Sequence, residues 1–337
     1  MAKRPCSIQD VADAAGVSTA TVSRVLNNAD LVAPATAAKV QEAVKSLGYK
    51  PNLFAQGLMT RKSHVLGFAL PDIFGEFYSE LLRGADAEAH RLGYNLLVSS
   101  EAHTRAEQER RGSLAFGLID GLAVMITEPN ESLWKESLDT SMPMVVLDAD
   151  LRDHGIDSIV VDNASGTREA MLHLLASVPA ERCYFVGGPR ENFDSQQRAA
   201  AFSETLAREK AMHVMRNDQI AHGDYSLDWG ERWAMEMHAQ GTLAGAGVLA
   251  GNDEIALGIL QTARQLGVEV PSQLKLVGFD DTRLASLVRP SLSTVRVPLA
   301  EVGAAAIRAL VDRIEGPERP PRTVTLATKL VVRESSV

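Results

Sequence analysis

Two sets of residues in this sequence have the types and spacing to do chemistry. Thr19, Ala20, Ser23, Arg24 and Asn27 fall at intervals that share one face of a helix. Short polar or small side chains with one arginine are what a helix needs to lie in a major groove and touch base edges. The second set follows short apolar runs: Asp72, Phe77 and Tyr78, then Asn192, Asp194 and Arg198, then Tyr225, Asn252, Asp253 and Asp280. Carboxylates, amides and a guanidinium each take two vicinal hydroxyls at once, and the aromatic rings can stack on the apolar face of a sugar ring. Both sets point to binding. Catalysis has no such constellation. Eight histidines (His64, His90, His103, His154, His173, His213, His222 and His238) are scattered, with no His-Glu-x-x-His and no pair at metal-ligand spacing. No Gly-x-Ser-x-Gly elbow or Walker loop occurs. The glycines of GAGVLAG run into an apolar stretch instead of out of one, the reverse of the dinucleotide fingerprint. No enzyme, cofactor or metal site is expected.

The first set needs a helix held at a fixed angle to a second one, and residues 8–27 (IQDVADAAGVSTATVSRVLN) supply that. Ile8, Val11, Ala12 and Ala15 recur at the spacing of one buried helix face. Gly16 can take a positive φ and end that helix, and Val17 is an apolar turn residue able to pack inward. Ser18 is a natural N-cap for the next helix, whose buried stripe is Val22, Val25 and Leu26. This is a helix-turn-helix. A third helix from Ala33 to Leu47, with Val40, Val44 and Leu47 on one stripe, closes a three-helix head. Alanine at position 33 offers no side-chain cap, which weakens that helix start by about 1 kcal/mol.

The string GVSTATVSRVLNN, the third helix and LGYKPNLFAQGL together resemble the LacI/GalR family of bacterial transcription regulators, and the resemblance continues to KLVVRESS near the end. It implies a DNA-reading helix on which Arg24, Thr19, Ser23 and Ala20 face base edges. Ser7, Thr21 and Asn27 would hold phosphates, with Ile8 among the residues at the DNA. The family usually has Ser or Thr where Ala33 stands. Read from its residues alone, Pro51 to Met59 is a linker or a marginal two-turn helix weakened by Gly57. The resemblance implies a hinge helix that forms on operator DNA, with Asn52 and Ala55 at the minor groove and Leu58 as the wedge at the central base step.

From Val65 the rhythm changes to apolar runs alternating with helical patterns: VLGFAL, YNLLVSS, GLAVMI and PMVVLD, then a second series from Asp157 with DSIVVD, CYFVGG, GVLAGN and LKLVGFD. This is βαβ alternation, and two tandem units predict two lobes with a cleft at the carboxyl ends of their strands. The fold class is therefore α/β: an all-α helix-turn-helix head, then a two-lobed sensor of doubly wound parallel sheets, which the resemblance makes periplasmic-binding-protein-like. The expected domains are a head at 1–50, a hinge and linker at 51–62 and an effector-binding and dimerisation domain at 63–337. Within the last, the N-lobe is 63–161 plus 292–322 and the C-lobe 162–291 plus 323–337, with crossings near 162, 291 and 323. Each residue of the second set matches a family position lining the effector pocket. Asp72 is expected to support its loop, and Asn252 and Asp253 could equally cap the helix they precede. Gly75 and Glu76 stand where the family often has Asn-Pro. Arg190 leaves room for a phosphorylated or acidic sugar.

The charge of −9 conceals a division. Residues 1–62 carry eight basic and four acidic side chains, a net +4, which leaves −13 on the remainder. A basic head on an acidic body concentrates phosphate affinity at one end. Hydrophobic content of 45% and charged content of 23% suit a protein with real cores. No apolar run is long enough to span a membrane, MAKRPCSIQD lacks the apolar core of a secretory signal, and two isolated cysteines suit a reducing cytoplasm. No leucine heptad follows the last strand, so a homodimer is expected. The combined expectation is a cytoplasmic regulator, a repressor of carbohydrate-utilisation genes released from a palindromic operator by a sugar, sugar phosphate or sugar acid. The alternatives are a purine-type, corepressor-dependent regulator and a sugar-binding receptor with no regulatory role.

Overall fold

A computed structural model of the protein describes residues 6–27, 32–49, 62–100, 118–127, 142–209 and 216–337. It divides into two compact units, Met1–Ser63 and His64–Val337. The described residues of the first form three helices, α1 (Ile8–Ala15), α2 (Thr19–Asn27) and α3 (Pro34–Leu47). Its core is Val11, Ala12, Val22, Val25, Ala37, Val40 and Ala43, with Ile8, Val17 and Leu26 packed against it. Gly16 takes φ 64° and its N–H donates to the carbonyls of Ala12 and Asp13, so the first helix ends where a left-handed residue is free of strain. Ser18 caps α2, its Oγ accepting from the N–H of Thr21 at 3.2 Å. Ala33 stands at the N-cap of α3 with no side-chain cap bond, as its type dictates.

The described residues of the second unit form two six-stranded sheets. The first is built from β1 (Val65–Leu70), β2 (Asn95–Ser100), β3 (Gly121–Met125), β4 (Met144–Leu147), β5 (Asp157–Val161) and β11 (Thr323–Leu326), in the spatial order β11-β5-β4-β3-β1-β2. The second holds β6 (Cys183–Gly187), β7 (Ile220–His222), β8 (Ala246–Ala250), β9 (Leu274–Asp280), β10 (Ser293–Arg296) and β12 (Lys329–Val331), in the order β12-β10-β9-β8-β6-β7. The central strands are buried along their whole length, as strands covered on both faces must be. Helices α4 (Gly75–Arg91) and α10 (Leu299–Glu315) cover the first sheet, and they cross where Gly84 meets the Ala300 backbone and Gly303 meets that of Leu81. In the second lobe α7 (Leu227–Ala239) and α8 (Asp253–Gln265) use Gly230 and Gly258 in the same way. A Cβ at any of these four positions would strike backbone, which helices cannot yield cheaply.

Sheet membership departs from the sequence reading at four points. The run at Asp157–Val161 opens the second series in the sequence, yet it is the fifth strand of the first sheet, inside the expected N-lobe bounds of 63–161. Ser293–Arg296 pairs with Leu274–Asp280, so the second crossing lies between Arg296 and Leu299, beyond position 291. Thr323–Leu326 still belongs to the first sheet, and the third crossing falls between Leu326 and Lys329, beyond 323. The tail is thus two short strands in different sheets, and the second pairs antiparallel with β10. Each difference has one cause: an apolar alternation tells a strand from a helix but carries nothing about which neighbour it will pair with.

Candidate functional site

On α2, Ala20 and Arg24 are exposed while Thr19, Thr21 and Ser23 are half-buried, so a continuous face is open to a groove. The Thr21 hydroxyl lies 3.0 Å from that of Ser18. Ser7 has a structural task that sequence reading missed: it and Asp10 form a capping box, the Ser7 N–H donating to Asp10 Oδ2 at 2.7 Å and its Oγ accepting from the Asp10 N–H at 3.3 Å. The signal was there in Ser7-x-x-Asp10. Ile8 is half-buried and packs against the head core. The side chain of Asn27, and Asn52, Ala55 and Leu58, lie outside the described residues.

The two lobes of the second unit enclose a cleft of about 460 Å³ at the carboxyl ends of their strands. Nine of the ten residues of the second set line it: Asp72, Phe77, Tyr78, Asn192, Asp194, Arg198, Tyr225, Asn252 and Asp280. The N-lobe side is built on the loop after β1, where Asp72 Oδ1 accepts from the N–H groups of Ile73 and Phe74 and so braces the turn into α4. Phe77 and Tyr78 stand one turn on, their rings edge to face at 5.1 Å. Burial, then the carboxylates of Asp148, Asp72, Asp280 and Glu254, push the Tyr78 hydroxyl up to about 12. It stays a neutral donor.

The C-lobe side is organised by α6 (Phe193–Glu209). Arg198 is 3% exposed, and every polar edge of its guanidinium is engaged. Nε donates to Asn163 Oδ1 at 2.8 Å, Nη1 to the Gly251 carbonyl at 2.6 Å and Nη2 to Asp194 Oδ2 at 2.8 Å, while the Phe279 ring lies 3.8 Å beneath its centre. Asn163 closes the ring by donating to Asp194 Oδ1 at 2.8 Å. Asn192 Oδ1 accepts from the Tyr225 hydroxyl at 2.9 Å and the Ser195 N–H at 2.9 Å. A Cβ on Gly188 would run into the Tyr225 ring, which gives that glycine its reason. Asn252 caps α8, accepting from the Ile255 N–H at 2.8 Å, and donates to the Tyr225 carbonyl at 3.0 Å. Asp253 is absent from the cleft, its oxygens taken by Thr282 and Thr294.

Sequence reading missed several lining residues: Asp148, Thr127, Met125, Phe74, Glu254, Asp224 and Ser226. Asp148 ends the PMVVLD run at φ 70°, and Asp280 ends LKLVGFD at φ 112°, conformations unusual for a side-chain-bearing residue. Burial raises both carboxyls well above their ordinary value, Asp194 adds to the rise in each, and Arg198 opposes it. Arg190 is a correction. It lies outside this cleft, in a separate groove with Ser203, Arg216 and His222, so it offers nothing to an anionic effector. The lobes are bridged at two points beside the cleft: the Phe193 N–H donates to the Thr127 carbonyl at 3.0 Å, and the Leu284 N–H to Glu76 Oε2 at 3.0 Å. No described helix is long and apolar enough to cross a membrane, and no group of three or more potential metal ligands occurs among the described residues.

Comparison with known proteins agrees with both halves of this anatomy. Residues 7–52 match the bacterial regulatory proteins of the lacI family, and residues 173–336 match a periplasmic binding protein-like domain. Catabolite control protein A of Priestia megaterium is 31% identical over 98% of this chain and 99% of its own. The ribose operon repressor of Halalkalibacterium halodurans is 31% identical over 98% and 97%. Among solved structures, a lac repressor dimer bound to operator and the anti-inducer ONPF superimposes with a TM-score of 0.88 at 27% identity, covering 99% of this chain and all of that one.

Proposed function

This chain belongs to the lacI family of bacterial regulatory proteins, and from that premise we propose that it represses carbohydrate-utilisation genes from a palindromic operator that a small polyhydroxylated effector makes it release. The observation that carries the effector half is the cleft, in which hydrogen-bonding groups from both lobes converge beside aromatic rings. The α2 face with Arg24 reads base edges, and Thr19, Ala20 and Ser23 complete that contact. Thr21, Ser7 and Asn27 lie along the phosphates, and Asn52, Ala55 and Leu58 act at the minor groove. Two copies are needed to read two half-sites. On the N-lobe, β2 is the last described strand of its sheet and leaves Leu97 and Val98 exposed, apolar surface that a second copy could cover.

Effector touching both lobes favours whichever lobe arrangement presents both sets of contacts, and operator affinity changes only by that preference. Fluorescence anisotropy of the full chain on DNA from upstream of its own gene, at fixed salt, tests the reading. Tight binding released by one sugar is the expected result. Tightening by a purine would make the ligand a corepressor, and binding insensitive to every compound would defeat the effector assignment.

A further inference from the structure

The cleft has too little positive charge for the carboxylates it holds. Asp72, Asp148, Asp194, Asp224, Glu254 and Asp280 reach it, and Arg198 is the one cation among the described lining residues. That guanidinium is already spent on Asp194, Asn163 and the Gly251 carbonyl. Asp280 is 5% exposed, and its Oδ1 has no hydrogen-bond partner. A buried carboxylate oxygen left unpaired is a group waiting for a donor. An anionic ligand would meet like charge on both sides of the cleft. Burial and neighbouring acids disfavour the charged form of Asp148 and Asp280 in the empty cleft, and a bound cation, unlike a neutral sugar, would restore it.

We propose that the effector is a polyhydroxylated molecule carrying a protonated amine, an amino sugar or amino polyol, with its ammonium group against Asp280 and Glu254 and its hydroxyls on Asn192, Asp194 and Asp148. The assignment rests on the reading of this cleft as the effector site. An ammonium group donates up to three charge-assisted hydrogen bonds, the stronger kind, where a hydroxyl donates one. Arg198 and Asp194 on α6, with Asp253 and Glu254 on α8, are the charged groups that face Asp280. Three of those four are acids. Phe77, Tyr78 and Tyr225 leave the apolar face of a pyranose a place to stack.

Calorimetry of the full chain with matched sugars tests this: glucosamine, galactosamine and mannosamine, each beside its parent hexose, with the corresponding uronic acids and a hexose phosphate. One aminohexose should bind at least about tenfold tighter than its parent, a difference of about 1.4 kcal/mol. The acids and the phosphate should not bind. Asp280→Asn and Glu254→Gln should each narrow the preference for the amine more than they weaken the parent hexose. A hexose that binds as tightly as its amine, a uronic acid that binds, or silence across the panel would each overturn the assignment. Operator release by a neutral hexose would leave the regulator reading intact and sink this one alone. Aminohexose binding by a protein that holds no operator would do the reverse.

Discussion

Replacing Arg198 by methionine should destabilise the second unit heavily, ligand or no ligand. The side chain and its partner Asp194 are 4% and 14% exposed, so the pair is buried and its separation of 2.8 Å is that of a charge-assisted bond. Removing one partner of a buried pair costs roughly 3–5 kcal/mol, mostly because the remaining charge is left uncompensated. The partial exposure of Asp194 and its second bond from Asn163 argue for the lower end, about 3 kcal/mol. Urea unfolding followed by tryptophan fluorescence reads this lobe through Trp229 and Trp233 on α7, two of the three tryptophans, in a Trp134→Phe background. The double variant Arg198→Met/Asp194→Asn should recover at least about 1 kcal/mol over the single one, because it removes the stranded charge. A single variant that loses less than about 1 kcal/mol would show that the guanidinium does not organise the cleft. Strict additivity in the double variant would refute the charge argument itself.

Three further outcomes are expected. Arg24→Ala should lose about 1–3 kcal/mol of operator binding while weak non-specific binding survives, and an unchanged operator affinity by anisotropy would remove α2 from the base edges. Ala33→Ser supplies the cap that α3 lacks and should stabilise its first turn by about 1 kcal/mol, seen as slower amide exchange in α3, whereas unchanged exchange would mean the cap is not limiting there. Burial raises the carboxyls of Asp148 and Asp280 and pushes Asp253 up to about 7, against the pull of its three hydrogen bonds from Thr282 and Thr294. A carboxyl raised in the folded state keeps its proton on folding, so stability is greatest at low pH within the window from the ordinary carboxyl value, about 4, to the raised one, and falls as pH climbs through it. The Tm should therefore be lower at about pH 8 than at about pH 6, with a shallower fall in Asp280→Asn, and a Tm that rises over that range would contradict the burial argument.

What could be read from the sequence divides by range. The turn at Gly16, the cap at Ser18 and the missing cap at Ala33 are local, set by one residue's conformational freedom or one side-chain oxygen, and each is visible in a window of a few residues. Asn192, Asp194, Arg198 and Tyr225 were legible because loops after parallel strands must open at one end of the sheet. Asp148 and Glu254 were not, because nothing local says that a strand-ending carboxyl turns through φ 70° into a cleft, or that the second residue of a helix faces it. Arg190 misled for the same reason: two residues before Asn192 the loop faces the other way, into the groove with Arg216. The crossings at Arg296 and Leu326 escaped because STVR and TVTL alternate alike whichever sheet receives them.

Those crossings bear on how a ligand could move the lobes. All three lie at one side of the unit, since β5 and β11 are neighbours in the first sheet and β10 and β12 in the second. The Thr328 hydroxyl donates to the Asp162 carbonyl at 2.8 Å, tying the third crossing to the first. Three strands of backbone bound side by side resist sliding and permit rotation about their common line, which is hinge motion and not shear. Away from the crossings, the Glu76 bond to the Leu284 N–H must break if the lobes part there. That bond is one charge-assisted contact at an exposed site, worth about 1 kcal/mol after screening. The cleft side chains outweigh it. Ligand bonds to Asp148 from one lobe and to Asn192, Asp194 and Asp280 from the other can all be made only when the lobes meet, so the bound molecule, more than the protein's own two bridges, sets the angle at which they stand.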